Sequence, residues 1–490
     1  MNMKRLIFWL FLLLMGIQQH AQAQRILTLD SCRTLAIQNN KELLIQGEKI
    51  VSARYEQKGA FTNYLPKIKA QGVYLRNQKE FSLLSDEQKG HIGNAGATVN
   101  QSFQDFALNL SERFPNSEIP SLISLLGSEV AAPLNEAGQA IVDGLRTDTR
   151  NTYFGALTVT QPLYMGGKIR AYNKITKYLE SLAAEQYTLE SQNLLLNTDQ
   201  TYWQVVSLTR KKELAESYVK LLQNLDNDLK LMIKEGVATL ADGLTVQVRL
   251  NEAEIALTKV EDGVSLSKML LCQICGIDLN EEIRLADEEN EQLESKVPST
   301  YFEMEQVYQN RPELRSLNLA HHIAQQKVHV VRSDFLPSIA LIGNYVVTNP
   351  SLFNSFENKF RGMWNIGMAV QIPIWNWGEG IYKVKQAKSQ ARIIQLQREE
   401  AKEKIELQVN QSAYKINEAT KKLIKAEKNL EKAEENLRFA NLSFTEGFIT
   451  SNQVLEAHTA WLSAKSEIIE AQIDLKLTDL YFQKSTGTIE

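Results

Sequence analysis

Residues 364–374 read Trp364-Asn365-Ile366-Gly367-Met368-Ala369-Val370-Gln371-Ile372-Pro373-Ile374, with an apolar side chain at every even position and a small or polar one at every odd position. A period of two puts the apolar side chains on one face of a β-strand and the others on the opposite face. About 10 residues is also the length a tilted strand needs to cross a bilayer. An earlier stretch keeps the same phase through Tyr153, Leu157, Val159 and Leu163, with Thr158, Thr160 and Gln161 polar. Alternation by itself also fits an ordinary sheet in a soluble domain, so the decision falls to what surrounds these strands.

The surroundings are duplicated. Leu65-Pro66, Ile68, Gly72 and Tyr74 recur as Leu336-Pro337, Ile339, Gly343 and Tyr345, and Glu42-Leu43 recurs as Glu313-Leu314, all at an offset of 271. Further along, Pro162, Gly167, Glu235-Gly236 and Gly276 recur as Pro373, Gly378, Glu446-Gly447 and Gly487 at an offset of 211. The change of register means that the first copy carries 60 extra residues between Tyr74 and Tyr153. The expected organisation is a leader 1–23, a first repeat 24–276 with an inserted segment at about 80–150, a connector 277–300 rich in Asp and Glu, and a second repeat 301–490.

Each copy reads helix, strand, strand, long helix, break, shorter helix. No proline occurs from Gly167 to Gly236 or from Gly378 to Gly447. In the second copy Ile416, Ala419, Leu423, Ala426, Leu430, Ala433, Leu437, Ala440 and Phe444 step by three and four, the spacing of a coiled-coil seam. Shifted back by 211, the pattern is broken only by Lys212 and Asp226. Each long helix would extend roughly 100 Å. The returning helix, added to the segment Asp30–Phe61, has nearly the same length, so two shorter helices stacked end to end would lie beside each long one. A coiled-coil dimer or filament is the competing reading of the helices alone.

The N-terminus reads as an export leader. Lys4 and Arg5 precede an apolar run from Leu6 to Ile17, and Ala21-Gln22-Ala23 supplies a cleavage site before Gln24. The run is too short to anchor in a bilayer, and no 18-residue apolar stretch follows it. A mean hydropathy of −0.28 excludes a polytopic helical membrane protein. With 43% hydrophobic and 23% charged residues the chain is not disordered, and a formal charge of −4 carries no basic footprint for nucleic acid.

In order and in duplicate, these motifs resemble the TolC-type outer-membrane efflux protein family. The resemblance rests on Leu29-Asp30-Ser31-Cys32-Arg33, on both Leu-Pro strand beginnings, and on the strand-to-helix turns Gln161-Pro162-Leu163-Tyr164-Met165-Gly166-Gly167 and Ile372-Pro373-Ile374-Trp375-Asn376-Trp377-Gly378. It rests also on the hairpin tips, Glu235-Gly236 through Asp242 and Glu446-Gly447 through Leu455-Glu456-Ala457. It implies a mixed, mainly α fold: a long coiled-coil helical barrel in the periplasm, and four membrane strands per chain completing a shared trimeric β-barrel. The partners implied are a periplasmic adaptor, an inner-membrane pump and outer-membrane lipid, with no cofactor. Open strand edges in lipid independently require several chains per barrel, though spacing does not say how many. The function expected is a passive exit duct for efflux or type I secretion; an exported periplasmic coiled-coil scaffold without a channel is the alternative.

Chemistry is not expected. His321, His322 and His329 share a helix without a completing carboxylate and read as solvated surface. Cys272 and Cys275 read as small packing residues, and no phosphate-binding G-x-x-x-x-G-K-[ST] loop occurs. The residues singled out are instead those of the hairpin tips at Gly236 and Gly447. The resemblance implies that carboxylates six and nine residues after the second glycine narrow the periplasmic mouth. Here those positions are Gln453 and Glu456, so one glutamate per chain would form a negative ring. Asp242 holds the sixth position in the first copy and is expected in hairpin contacts. A solvated helix side chain is the alternative for Glu456. The inserted segment, with Ile119, Leu122, Leu125, Leu126, Leu134, Ala137 and Ile141 at helical spacing, is expected outside the cell as a cap or partner-binding element, or else as a tolerated surface insertion.

Overall fold

The computed structural model describes residues 25–80, 82, 84–113, 117–146, 148–288, 298–353, 357–446 and 448–489. The leader 1–23, residues 289–297 of the connector and the tip residue Gly447 lie outside the described residues. The chain divides into two units that cut across the sequence repeats. One comprises Phe61–Ile169 and Arg332–Gly380; the other comprises the residues up to Ala60, Arg170–Val331 and Ile381–Glu490.

The first unit is built on four strands, β2 (Lys67–Arg76), β3 (Asn151–Met165), β5 (Ser338–Asn349) and β6 (Arg361–Gln371), antiparallel throughout in the order β2-β3-β5-β6. β1 (Arg25–Leu27) and β4 (Ile283–Leu285) belong to the other unit. The register sorts the two faces. One row across the sheet runs Ile68, Val159, Gly343, Ile366, and another runs Leu157, Tyr345, Trp364. The opposite face carries the row Lys69, Thr158, Asn344, Asn365, where Asn344 Nδ2 donates to Asn365 Oδ1 at 3.0 Å. Every residue of β6 is exposed, Ile366 at 69%.

Two expectations about these strands need correction. β6 stops at Gln371, so Ile372 and Ile374 are not in the ladder; Pro373 has no N–H to donate to it. Leu163 does not continue the phase of β3, because the pairing shifts between Pro162 and Tyr164. This bulge leaves Leu163 unmatched and hands its face to Tyr164, opposite Ile339.

Between β2 and β3 stand α3 (Asp86–Gly93), α4 (Ala95–Arg113) and α5 (Ile119–Gly144). The helical spacing of 119–146 marked only the last of them. They pack through glycines: a Cβ at Gly96 would sit 2.0 Å from the Ala131 carbonyl oxygen, and one at Gly138 2.0 Å from that of Ile92. The two ends of the insertion meet, since Ser82 bridges to Arg146, whose Nε donates to Glu80 Oε2 at 2.8 Å.

The helical unit contains α1 (Leu29–Asn39), α2 (Lys41–Phe61, reaching the other unit at its last residue), α6 (Lys168–Lys234) and α7 (Leu240–Cys275) from the first copy. The second copy supplies α8 (Met304–Asn310), α9 (Pro312–Ser333), α10 (Glu379–Thr445) and α11 (Ser451–Thr486). α6 and α10 each have 67 residues and α7 and α11 each have 36. In α10 the expected seam is real: Ile416, Ala419, Leu423 and Ala426 are buried, and Leu430, Ala433, Leu437, Ala440 and Phe444 are half-buried. The two exceptions in α6 are neutralised by partners, Asp226 by Lys230 at 2.6 Å and Lys212 by Glu216 and Glu261 at 3.5 and 3.4 Å.

The duplication reappears as a joint made twice. Gly276 (φ 67°) ends α7 against Asn39, and Gly487 (φ 74°) ends α11 against Asn310. Asn40 Nδ2 then donates to the Ile274 carbonyl at 3.2 Å, while at the matching place Arg311 Nη1 donates to the Ser485 carbonyl at 2.8 Å. Left-handed glycine leaves helix-end carbonyls facing outward, and the next helix supplies their donor. Nearby, β1 (Arg25–Leu27) pairs in parallel with β4 (Ile283–Leu285) of the connector, a pairing that no local pattern announced.

Candidate functional site

At the first hairpin tip Gly236 takes φ 77°, and Val237 N–H donates back to the Met232 carbonyl at 2.8 Å. A Cβ at Gly236 would meet nothing within 4 Å, so backbone conformation, not crowding, demands the glycine. α7 then starts on a capping box. Thr239 Oγ1 accepts Asp242 N–H at 3.2 Å, and Asp242 Oδ2 accepts Thr239 N–H at 3.0 Å. The Thr239 hydroxyl also donates to Asp242 Oδ2 at 2.5 Å, and this bond, with the one from Thr239 N–H, holds the Asp242 carboxyl below the usual carboxylate range.

Gln453 occupies the same place in the second tip, its Oε1 accepting Thr450 N–H at 3.0 Å. Aspartate in one copy and glutamine in the other therefore share one local task, closing the first turn of a returning helix. Glu456 is one turn further on and is exposed, between buried Leu455 and Ala457. Leu455 packs with Val219, Leu222, Leu229 and Val246, which ties the second returning helix to the first hairpin. That packing turns Glu456 outward, and among the described residues its carboxylate has no hydrogen-bond or ion-pair partner.

His458 went unremarked in the sequence. It is 7% exposed, and burial pulls its imidazole below the ordinary histidine pKa. The signal was present: His458 follows the buried Val454 by four and Leu455 by three, the spacing of one helix face.

The strand-to-helix turns follow one backbone plan with different residues. Gly167 (φ 84°) and Gly378 (φ 79°) immediately precede α6 and α10. Before Gly167 stands Gly166 (φ 61°), where a Cβ would come within 2.7 Å of the Ser333 carbonyl oxygen. Its counterpart Trp377 holds a positive φ of 49° despite its side chain. Pro162 sits at the bulge of β3, and Pro373 follows the end of β6.

Aromatic rings collect at both ends of the sheet. Tyr74, Tyr153 and Phe360 form a chain with centroid spacings of 5.0 and 5.7 Å, and Tyr345 and Trp364 are paired on the apolar face nearer the middle of the strands. At the end where β2 begins and β6 stops, Phe61 and Tyr64 pair at 5.8 Å and Trp375 and Trp377 at 5.9 Å. An apolar band between two aromatic girdles is the arrangement of a strand surface facing lipid.

The residues weighed for other chemistry find ordinary places. His322 stacks on Tyr178 with centroids 5.4 Å apart, so it and His321 are half-buried, not solvated as expected; His329 is exposed. Among the described residues no group of His, Cys, Asp or Glu is arranged to hold a metal ion. Cys272 and Cys275 are buried in a core with Leu27, Tyr202 and Leu271, and Cys32, from 240 residues away, joins them there. Also among the described residues, no helix is long and apolar enough to cross a membrane.

Comparison with known proteins agrees with this geometry. Residues 119–276 and 304–488 match the family model described as outer membrane efflux protein. The alkaline protease secretion protein AprF of Pseudomonas aeruginosa is 23% identical over 239 residues, which make up 48% of this chain and 49% of AprF. The chain thus spans about half the length of that curated relative. The fold resembles the Campylobacter jejuni CmeC outer membrane channel with a TM-score of 0.72 at 15% identity, covering 94% of this chain and 86% of that one. It also resembles the open state of the Neisseria gonorrhoeae MtrE outer membrane channel, with a TM-score of 0.69 at 15% identity over 94% and 88% of the two chains. The outer membrane protein VceC of Vibrio cholerae gives 0.67 at 14% identity, over 94% and 96%.

Proposed function

Because the chain belongs to the outer membrane efflux protein family, we propose that it is the outer-membrane exit duct of a multicomponent efflux or type I secretion system. Three copies close one barrel and passively conduct cargo delivered by an inner-membrane pump and a periplasmic adaptor. The observation that carries this reading is the open four-stranded sheet, with an apolar face, the polar row Lys69-Thr158-Asn344-Asn365 on the opposite face, and aromatic pairs at both ends. Both outer strands of the sheet present a free edge, and in lipid each unsatisfied backbone group costs several kcal/mol. A ring of identical chains removes every edge. Exposed Leu231, Val237, Leu240 and Phe448 at the hairpin tips supply an apolar surface for an adaptor.

Purified protein in mild detergent is expected to have the mass of a homotrimer and to give single-channel conductance in planar bilayers. A conducting monomer would sink the trimeric reading, and a non-conducting outer-membrane trimer the duct. In the same assay Glu456→Gln and Glu456→Lys are expected to lower cation preference stepwise, because the Glu456 carboxylate, unlike that of Asp242, is not held in a cap. Gln453→Ala and Asp242→Ala should leave selectivity alone and cost about 1 kcal/mol of helix capping each. Equal effects at all three positions would remove Glu456 from the aperture.

The segment 80–150 is read as an element outside the cell. Its ends meet through Glu80, Ser82 and Arg146. Deleting residues 85–145 is therefore expected to leave the trimer intact while changing pore access or capture of an external partner. Loss of all oligomer in the deletion variant would show instead that the segment is part of the fold.

A further inference from the structure

The polar face of the sheet has one sign of charge. No Asp or Glu occurs anywhere in β2, β3, β5 or β6. On that face stand Lys67 and Lys69 of β2 and, at the opposite end, Arg361, which is neutralised by Glu357 at 3.1 Å. Lys67 Nζ donates to the neutral Asn63 Oδ1 at 2.9 Å. Of the acids at this end of the unit, Asp334 is engaged by Lys168 at 2.8 Å, and Glu379 belongs to the first turn of α10. Among the described residues no carboxylate pairs with Lys67 or Lys69, and with Gln71, Thr158 and Thr160 they line a concavity of about 350 Å³. The register sets Lys67 opposite Thr160 and Lys69 opposite Thr158, so two lysines and two threonines are neighbours on one face of the β2–β3 ladder.

We propose that Lys67 and Lys69 form an anion-binding station on the inner wall of the barrel, selecting for solutes that carry carboxylate or phosphate groups. This rests on the duct reading, in which the polar face is the lumen and the apolar face meets lipid. Two lysines on each of three chains place six cations around one passage, and a ring of lysines favours anions as a ring of carboxylates favours cations. Hydroxyls of Thr158 and Thr160 beside them donate to the same oxyanions. Glu456 carries the opposite charge, so the contribution of the station is read as a change in permeability ratio, not as the sign of the wild-type value.

The full chain in planar bilayers of neutral lipid under a KCl gradient tests it, with inorganic phosphate as the probe for block. The double variant Lys67→Gln/Lys69→Gln is expected to lower the chloride-to-potassium permeability ratio about threefold and to weaken block by phosphate. Lys67→Glu/Lys69→Glu should carry the ratio further in the same direction, and Lys67→Arg/Lys69→Arg should keep the wild-type ratio. If all three variants conduct with the wild-type ratio and phosphate response, the station does not exist and the duct still stands. If they instead lose trimer yield without any change in ratio, the lysines only guard the edge of β2, which also overturns the proposal. A wild-type protein that does not conduct takes down both the duct and the station.

Discussion

Ile366→Arg is expected to prevent a stable oligomer, whereas Asn365→Arg, one residue earlier, leaves it assembled. Ile366 is at the centre of β6, exposed on the face that also carries Met368, Val370 and Trp364, opposite Gly343. Asn365 is in the polar row with Asn344. A charged side chain on a lipid-facing strand at mid-bilayer costs about 2–4 kcal/mol, and on the lumen side far less. Three copies of the cost in one barrel would exceed much of the stability of an ordinary fold. The measurement is the fraction of detergent-resistant oligomer in outer-membrane extracts of the two variants. Equal loss in both would mean that the sheet has two buried faces and no lumen; equal survival would mean that neither face meets lipid.

Arg311→Leu is expected to destabilise the helical unit by about 3 kcal/mol, the lower end of the cost of breaking a buried ion pair from one side. Arg311 is 5% exposed and donates to both Glu313 oxygens at 2.9 and 2.8 Å, to the Ser485 carbonyl at 2.8 Å and to Gln408 Oε1 at 3.2 Å. Leucine fills part of the volume but strands a carboxylate and the helix-end carbonyl. Glu313 keeps some access to solvent, which holds the cost to the low end. Arg311→Lys should rescue little, because an ammonium cannot span both carboxylate oxygens and the carbonyl together. At the matching position Asn40→Ala removes only neutral hydrogen bonds and should cost about 1 kcal/mol. Denaturant titration followed by far-ultraviolet circular dichroism in detergent compares them. Indistinguishable midpoints for Arg311→Leu and Asn40→Ala would show that the second joint gains nothing from its charge.

The two joints show where sequence reading stops. The offsets of 271 and 211 place Arg311 on Asn40 and Ser485 on Ile274, so the correspondence was legible. That the first residue of each pair bonds the second was not, because two residues 174 positions apart leave no periodic trace of their contact. Cys32 beside Cys275, β1 beside β4 and Leu455 among the first hairpin's side chains were hidden for the same reason. The Gln453 departure shows a different limit. Read by charge alone it was a missing carboxylate at the mouth; by hydrogen bonding it repeats the capping task of Asp242.

What the chain determined by itself is whatever a short period can encode. Alternation over 364–371 set the two faces of β6, three-four spacing set the seam of α10, and the glycines at 236, 276 and 487 set where helices turn or end. Each is a local consequence of pleat, helical repeat or left-handed backbone, and needs no distant partner. Only the tertiary structure decided the bulge that takes Leu163 out of phase, the outward turn of Glu456 and the burial of His458 beside it. It also brought Lys67 and Lys69 against Thr160 and Thr158, across a register spanning about 90 residues of chain. Those outcomes depend on which surfaces meet, and meeting surfaces are chosen by the packing of the whole chain, not by any one stretch of it.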